Sequence, residues 1–84
     1  MTDLDDYGVL AHSFEKNSTT LICFHLQEYK GHQFISIREF YRDKSSGDWR
    51  PTKSGVTISP DYYAELLQGV VGLGEALGFS ADTI

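Results

Sequence analysis

The sequence predicts an α+β fold: a four-stranded antiparallel sheet followed by one C-terminal helix, in a chain that works as a dimer. Three observations lead there. Two runs, residues 19–29 and 32–41, are rich in Thr, Ile, Phe and Tyr and flank Lys30 and Gly31. Such residues suit a pleated surface, and the Lys-Gly pair suits a two-residue hairpin turn. Ser59, Pro60 and Asp61 then read as a helix start ahead of leucines at helical spacing. Finally, a chain of 84 residues buries only roughly 60–65% of its unfolded surface, a shortfall that small domains often meet by sharing core with a partner.

Residues 1–6 are acidic and read as a flexible lead. Residues 7–14, with Val9, Leu10 and Phe14, read as a short first strand, and 15–18 as a turn. Residues 19–29 and 32–41 form the hairpin. Residues 42–47 are polar and turn-rich. Trp49 and Arg50 should be extended, because the residue before Pro51 avoids the helical region. Residues 55–58 read as a short fourth strand carrying Val56 and Ile58. In the helix, Tyr63, Leu66, Leu67, Val70, Leu73 and Leu77 recur at helical spacing, and Gly78 is a natural stop. This gives a domain over 7–78 and a tail over 79–84.

Composition excludes several classes. Hydrophobic residues make up 40% and charged residues 23%, which marks a globular chain. No apolar run is long enough to span a bilayer, and the N-terminus does not read as a signal peptide. Cys23 is the single cysteine, so no internal disulfide framework exists, and a reduced compartment, cytoplasmic or nucleoid-associated, is expected rather than secretion. Cys23, His25 and His32 lack the number and spacing of ligands that a zinc site needs. No pair of catalytic groups converges in the sequence. Neither metal, cofactor, small-molecule substrate nor enzymatic activity is therefore expected.

The formal charge of -5 argues against nucleic acid when read as an average. Its distribution reverses that reading. Residues 1–27 carry a net -3, residues 28–53 a net +2 and residues 54–84 a net -4. Six of the seven bases lie in the middle stretch: Lys30, Arg38, Arg42, Lys44, Arg50 and Lys53. A partner meets the local field, because charges are screened beyond about 8 Å at physiological ionic strength. A solubilising surface would also account for these bases.

With Lys30 and Gly31 as the loop, Tyr29 faces His32, Leu26 faces Ile35, Phe24 faces Ile37 and Cys23 faces Arg38. Alternation then sorts the hairpin into two faces. One carries Ile22, Phe24, Leu26, Ile35 and Ile37 and should pack under the helix. The other carries Leu21, Cys23, His25, Gln27, Tyr29, His32, Phe34, Ser36, Arg38 and Phe40. Aromatic rings among bases on a sheet are what single-stranded nucleic acid requires, with rings stacking on bases and cations on phosphates. Burial of the same rings against another subunit or against the first strand is the competing reading.

The stretch ISIREFY, a polar turn, and GDWRPTKSGVTISPDYYAELL together resemble the C-terminal domain of the transcriptional coactivator positive cofactor four and its bacterial and phage relatives. Tyr29, Lys30 and Gly31 look like that family's aromatic-Lys-Gly hairpin turn, and the resemblance runs over 9–77. It implies a curved sheet of four strands and a helix, a homodimer through helices and sheets, and binding of unpaired DNA with little sequence preference, in transcription, replication or recombination. RNA is left open as a partner. The resemblance puts Tyr29, Lys30, Arg38, Tyr41, Arg50 and Lys53 in DNA contact, with Phe34 added from the hairpin face. The family often has tryptophan where Tyr41 stands, and Thr52 and Ser54 dilute its basic segment here. Plain alternation also puts Tyr41 on the helix side, so the resemblance implies a sharp twist near Phe40.

Gly69 and Gly72 inside the helix cost about 1 kcal/mol each relative to alanine, which close approach of a second helix would offset. Leu66, Gly69, Val70, Gly72 and Leu73 are therefore the expected dimer interface, a merely weak helix being the alternative. The rival reading is a protein-interaction dimer on the same scaffold with little nucleic-acid affinity.

Overall fold

The computed structural model describes residues 3–79. A single helical turn, α1 (Asp3–Asp6), precedes four strands: β1 (Val9–Asn17), β2 (Thr20–Tyr29), β3 (His32–Arg42) and β4 (Trp49–Ile58). They form one antiparallel meander in the order β1-β2-β3-β4. A short 3-10 turn (Pro60–Tyr62) leads into α2 (Tyr63–Ala76).

The β2–β3 hairpin has the register expected from its loop. Tyr29 pairs with His32, Leu26 with Ile35, Phe24 with Ile37 and Cys23 with Arg38, without interruption as far as Thr20 and Tyr41. Lys30 and Gly31 both have positive φ, 52° and 81°. Two successive positive φ values give the turn whose twist matches the flanking strands, and glycine adopts the second without steric cost.

The outer strands are longer than the sequence suggests. β1 runs on to Asn17, whose side chain closes the turn by accepting from the Thr19 amide at 3.0 Å and the Thr19 hydroxyl at 3.1 Å. β4 begins at Trp49 rather than at Gly55, because the extended Trp49–Pro51 stretch pairs with Phe40, Tyr41 and Arg42. Gly55 lies against β3 so closely that a Cβ there would sit 2.6 Å from the Ile37 carbonyl oxygen and 2.8 Å from the Arg38 Cα.

The helix start follows the sequence. Ser59 Oγ accepts from the Asp61 amide at 3.2 Å, with Pro60 just inside. The other end closes on two bonds that match a Schellman motif: Phe79 N donates to Gly74 O at 2.8 Å and Gly78 N to Glu75 O at 3.0 Å.

The apolar face of the hairpin lies towards α2 as expected, but the driest part of the chain is on the other face. The dry core is Leu21, Cys23 and Phe40, with Leu4, Tyr7, Leu10 and Trp49 packed against it. His25 and Ser36 are buried on the same side. Burial against the first strand is the competing reading for this face, and Leu10 of β1 supplies part of the cover; the rest comes from Leu4 in α1, from Tyr7 and from Trp49 at the start of β4. Leu4 lies in the acidic stretch expected to be a flexible lead, yet it packs on the core. The apolar set on the other face, Phe24, Leu26, Ile35 and Ile37, lies across a groove of about 300 Å³ from Tyr63, Leu66, Leu67 and Val70 of α2. That groove stays open: Leu67 is 49% exposed, Val70 53% and Leu73 66%.

Candidate nucleic-acid interface

The tip of the β2–β3 hairpin presents an aromatic ring and a cation as one unit. Tyr29 is 64% exposed, and Lys30 Nζ stands 5.3 Å from the centroid of its ring. The ammonium group is attracted to the negative face of the ring. The unit exposes a flat apolar surface beside a positive charge, the two things that a nucleotide binds through base and phosphate.

Phe34 lies one step along the same face, opposite Gln27, and is half-buried. Arg38 follows on that face, opposite Cys23 on one side and Gly55 on the other. Its Nη1 donates to the Thr52 carbonyl oxygen at 3.0 Å, while its Nε is buried without a hydrogen-bond partner. The guanidinium group is thus anchored at one end.

The anchor belongs to an irregularity in β4. Arg38 pairs with Gly55 but Phe40 pairs with Pro51, so residues 52–54 all stand opposite Glu39. Thr52 organises the bulge: its hydroxyl donates to Glu39 O and accepts from the Ser54 amide, both at 3.0 Å. Lys53 lies in this bulge and is exposed. The distortion expected near Phe40 therefore lies in the partner strand, β4, and the β2–β3 pairing continues undisturbed. Alternation consequently leaves Tyr41, 44% exposed, on the face opposite Phe34 and Arg38.

Tyr41 has its own basic neighbour, since it pairs directly with Arg50 across the β3–β4 ladder. Arg50 Nε donates to Asp43 Oδ2 at 2.7 Å. Asp43 also accepts from the Ser45 hydroxyl at 2.7 Å and the Ser45 amide at 2.9 Å. The Ser45 hydroxyl, then its amide, then Arg50 hold the Asp43 carboxyl down from 3.8 to about 2. Tyr41, Arg42 and Lys44 line an open hollow with Thr19, Asp43 and Gly47. Trp49 packs against the core, with the Arg42 guanidinium 5.7 Å from its ring centroid.

The residues singled out from the sequence thus form two groups. Tyr29, Lys30, Phe34 and Arg38 share the hairpin face and its tip. Tyr41 and Arg50 lie together on the other face, with Lys53 in the bulge nearby in sequence. Arg42 and Lys44 were noted among the bases but not as contacts, and their position in the hollow beside Tyr41 depends on the β3–β4 loop. Glu39 pairs with Lys16 at 3.1 Å rather than with the adjacent arginines. Cys23 is buried, and burial pushes its thiol up, which disfavours the reactive thiolate. Among the described residues, no group of three or more His, Cys, Asp and Glu side chains could hold a metal ion, and no helix is long and apolar enough to cross a membrane.

In α2, Leu66 is half-buried, while Gly69, Val70, Gly72 and Leu73 are exposed. A Cβ at Gly69 or Gly72 would meet nothing within 4 Å. The helix therefore has a face lined with apolar and small residues that the other described residues leave exposed.

Comparison with known proteins identifies the family and agrees with the fold. Residues 16–69 match the model of the family described as Transcriptional Coactivator p15 (PC4). The RNA polymerase II transcriptional coactivator SUB1 of Saccharomyces cerevisiae is 36% identical over 52 residues, which cover 62% of this chain and 18% of the yeast protein. The chain thus spans less than a fifth of the length of that relative. A crystal structure of a PC4 homologue from Burkholderia pseudomallei superposes with a TM-score of 0.75 at 28% identity, covering 82% of this chain and 92% of the other. A bacteriophage T5 homologue of PC4, implicated in recombination-dependent DNA replication, superposes with a TM-score of 0.67 at 18% identity over 80% of each chain, a likeness of fold. The match over strands β2 to β4 and into α2 places the chain in the transcriptional coactivator p15 (PC4) family.

Proposed function

We propose that the protein is a homodimer that binds single-stranded DNA with little sequence preference, through a binding domain spanning residues 7–78. The observation that carries this reading is the exposed Tyr29 ring with Lys30 beside it at the hairpin tip. Tyr29, Phe34 and Tyr41 stack with bases, while Lys30, Arg38, Arg50 and Lys53 hold phosphates. Membership of a coactivator family supports a nucleic-acid partner. The service performed is protection or presentation of unpaired DNA in transcription, replication or recombination, in the cytoplasm or at the nucleoid.

The open apolar face of α2 supports the dimer. Leu66, Val70 and Leu73 cover one another across a two-fold axis, and Gly69 and Gly72 let the helix backbones approach. A paired arrangement would extend the binding surface over two sheets.

Two observations favour a second reading, a protein-interaction dimer with little nucleic-acid affinity. Two of the arginines are engaged within the chain, Arg38 with the Thr52 carbonyl and Arg50 with Asp43, and the net charge is -5. Fluorescence anisotropy with an oligothymidine strand separates the two. The first reading expects binding that weakens steeply with salt, because phosphate contacts release counterions. The second expects none at low salt.

A further inference from the structure

The hairpin face that carries Gln27, Tyr29, Phe34 and Arg38 also carries His25 and Ser36, between Phe34 and Arg38, and Phe40 beyond them. There the chain covers itself. His25 Nε2 donates to the Leu4 carbonyl oxygen at 2.7 Å, and Gln27 Nε2 donates to the Tyr7 carbonyl oxygen at 3.1 Å. The Tyr7 ring stands edge-on to His25 and to Phe40, with centroids 5.1 and 5.2 Å away. Leu4 packs on the cluster of Leu21, Cys23 and Phe40.

This cover leaves polar groups unsatisfied. A carbonyl can only accept, so the proton of a neutral His25 ring sits on Nε2 and Nδ1 is left as an acceptor. His25 Nδ1 and Ser36 Oγ are both buried without a hydrogen-bond partner. The two residues pair directly across β2 and β3 and are 2% and 0% exposed. Buried polar groups are normally satisfied, and exceptions call for an explanation.

The segment presents the Leu4 and Tyr7 carbonyl oxygens and the Tyr7 ring to this face, and Tyr7 directly follows the acidic stretch DLDD. A single-stranded nucleic acid presents the same chemistry, with carbonyl oxygens and a flat ring on an anionic chain. A base with a ring N–H between two carbonyls, such as thymine, adds the donor that His25 Nδ1 lacks.

We propose that residues 3–7 form a strap seated in a base-binding subsite made by His25, Gln27, Ser36 and Phe40, and that single-stranded nucleic acid displaces it. The inference rests on the nucleic-acid reading above and adds its regulation: the free protein holds part of its own binding face closed. α1 is a single turn of four residues with Asp6 exposed, so the strap is held by the two hydrogen bonds, the Leu4 packing and the Tyr7 ring contacts rather than by a helix of its own.

The full-length chain and its Leu4→Asp variant are titrated with fluorescent oligothymidine, and the backbone amide signals of residues 4–7 in the native protein are followed by NMR at saturation. The expected result is about tenfold tighter binding by the variant, as for a face open about a tenth of the time in the native protein, and native strap signals that move to unstructured positions. Equal affinity in a variant that circular dichroism shows to be folded overturns the strap. So do native strap signals that stay at their docked positions at saturation, a measurement that decides alone if the variant does not fold. If neither protein binds oligothymidine, the nucleic-acid reading fails and takes this inference with it.

Discussion

Arg38 reaches across the β3–β4 ladder to donate from Nη1 to the Thr52 carbonyl oxygen at 3.0 Å. The contact ties a hairpin-face cation to the bulge that carries Lys53, so orientation of one depends on the other. Arg38→Ala is expected to weaken oligothymidine binding about tenfold and to lower the salt slope by about 1, as for loss of one phosphate contact. It also removes a hydrogen bond worth about 1–2 kcal/mol to the folded chain. Anisotropy across a salt series and urea unfolding measure the two effects separately.

The bulge depends on close approach of β4 to β3. A methyl group at position 55 would sit 2.6 Å from the Ile37 carbonyl oxygen, and backbone cannot retreat as a flexible side chain can. Gly55→Ala is expected to destabilise the fold by about 1–3 kcal/mol. A urea midpoint equal to that of the native protein would show that the strands separate without cost.

The Asp43 carboxyl, held at about 2 by the Ser45 hydroxyl and amide and by Arg50, makes a pH-dependent contribution. Its folded value lies below the unfolded one. The contribution is therefore fully present above the unfolded value of 3.8 and is lost as pH falls through about 2. Asp43→Asn is expected to lower the thermal midpoint near neutral pH. The difference between variant and native protein should close as pH approaches 2. A constant difference from pH 6 to pH 2 would contradict the assignment.

The open face of α2 is expected to hold the dimer. Val70→Asp places a charge where one helix would meet its copy. Sedimentation equilibrium is expected to give twice the 9.4 kDa chain mass for the native protein at micromolar concentration, and a monomer for the variant. A native monomer at that concentration would remove the shared-core argument.

The hairpin was legible because a two-residue Lys-Gly loop fixes every pair that follows, from Tyr29 with His32 through to Thr20 with Tyr41. The helix start was legible for a similar reason, since Ser59, Pro60 and Asp61 act locally. Which face becomes the dry core was not legible. It depends on Leu4, an isolated apolar residue in the acidic stretch, and on Tyr7, which reads with the first strand but precedes β1. They reach Phe40 and His25 only through the folded backbone. The bulge escaped for a related reason. Thr52, Lys53 and Ser54 look like diluted basic sequence, whereas their register against Glu39 comes from the Thr52 hydroxyl and carbonyl bonds. At the candidate site, the aromatic-cation pair at 29 and 30 could be read locally. Plain alternation already separates Tyr41 from Arg38; the twist that the resemblance implies near Phe40 would have joined them, but the distortion lies in β4 instead.

The most direct measurement is the affinity for single-stranded and duplex DNA of matched length between about 50 and 200 mM salt, the range over which phosphate contacts are most visible. The expected result is preferential binding to the single strand that falls with salt along a straight logarithmic line, and is weakened by Tyr29→Ala. No binding to the single strand at the lowest salt, or binding indifferent to both salt and Tyr29, would contradict a stacking and phosphate-holding role for this surface.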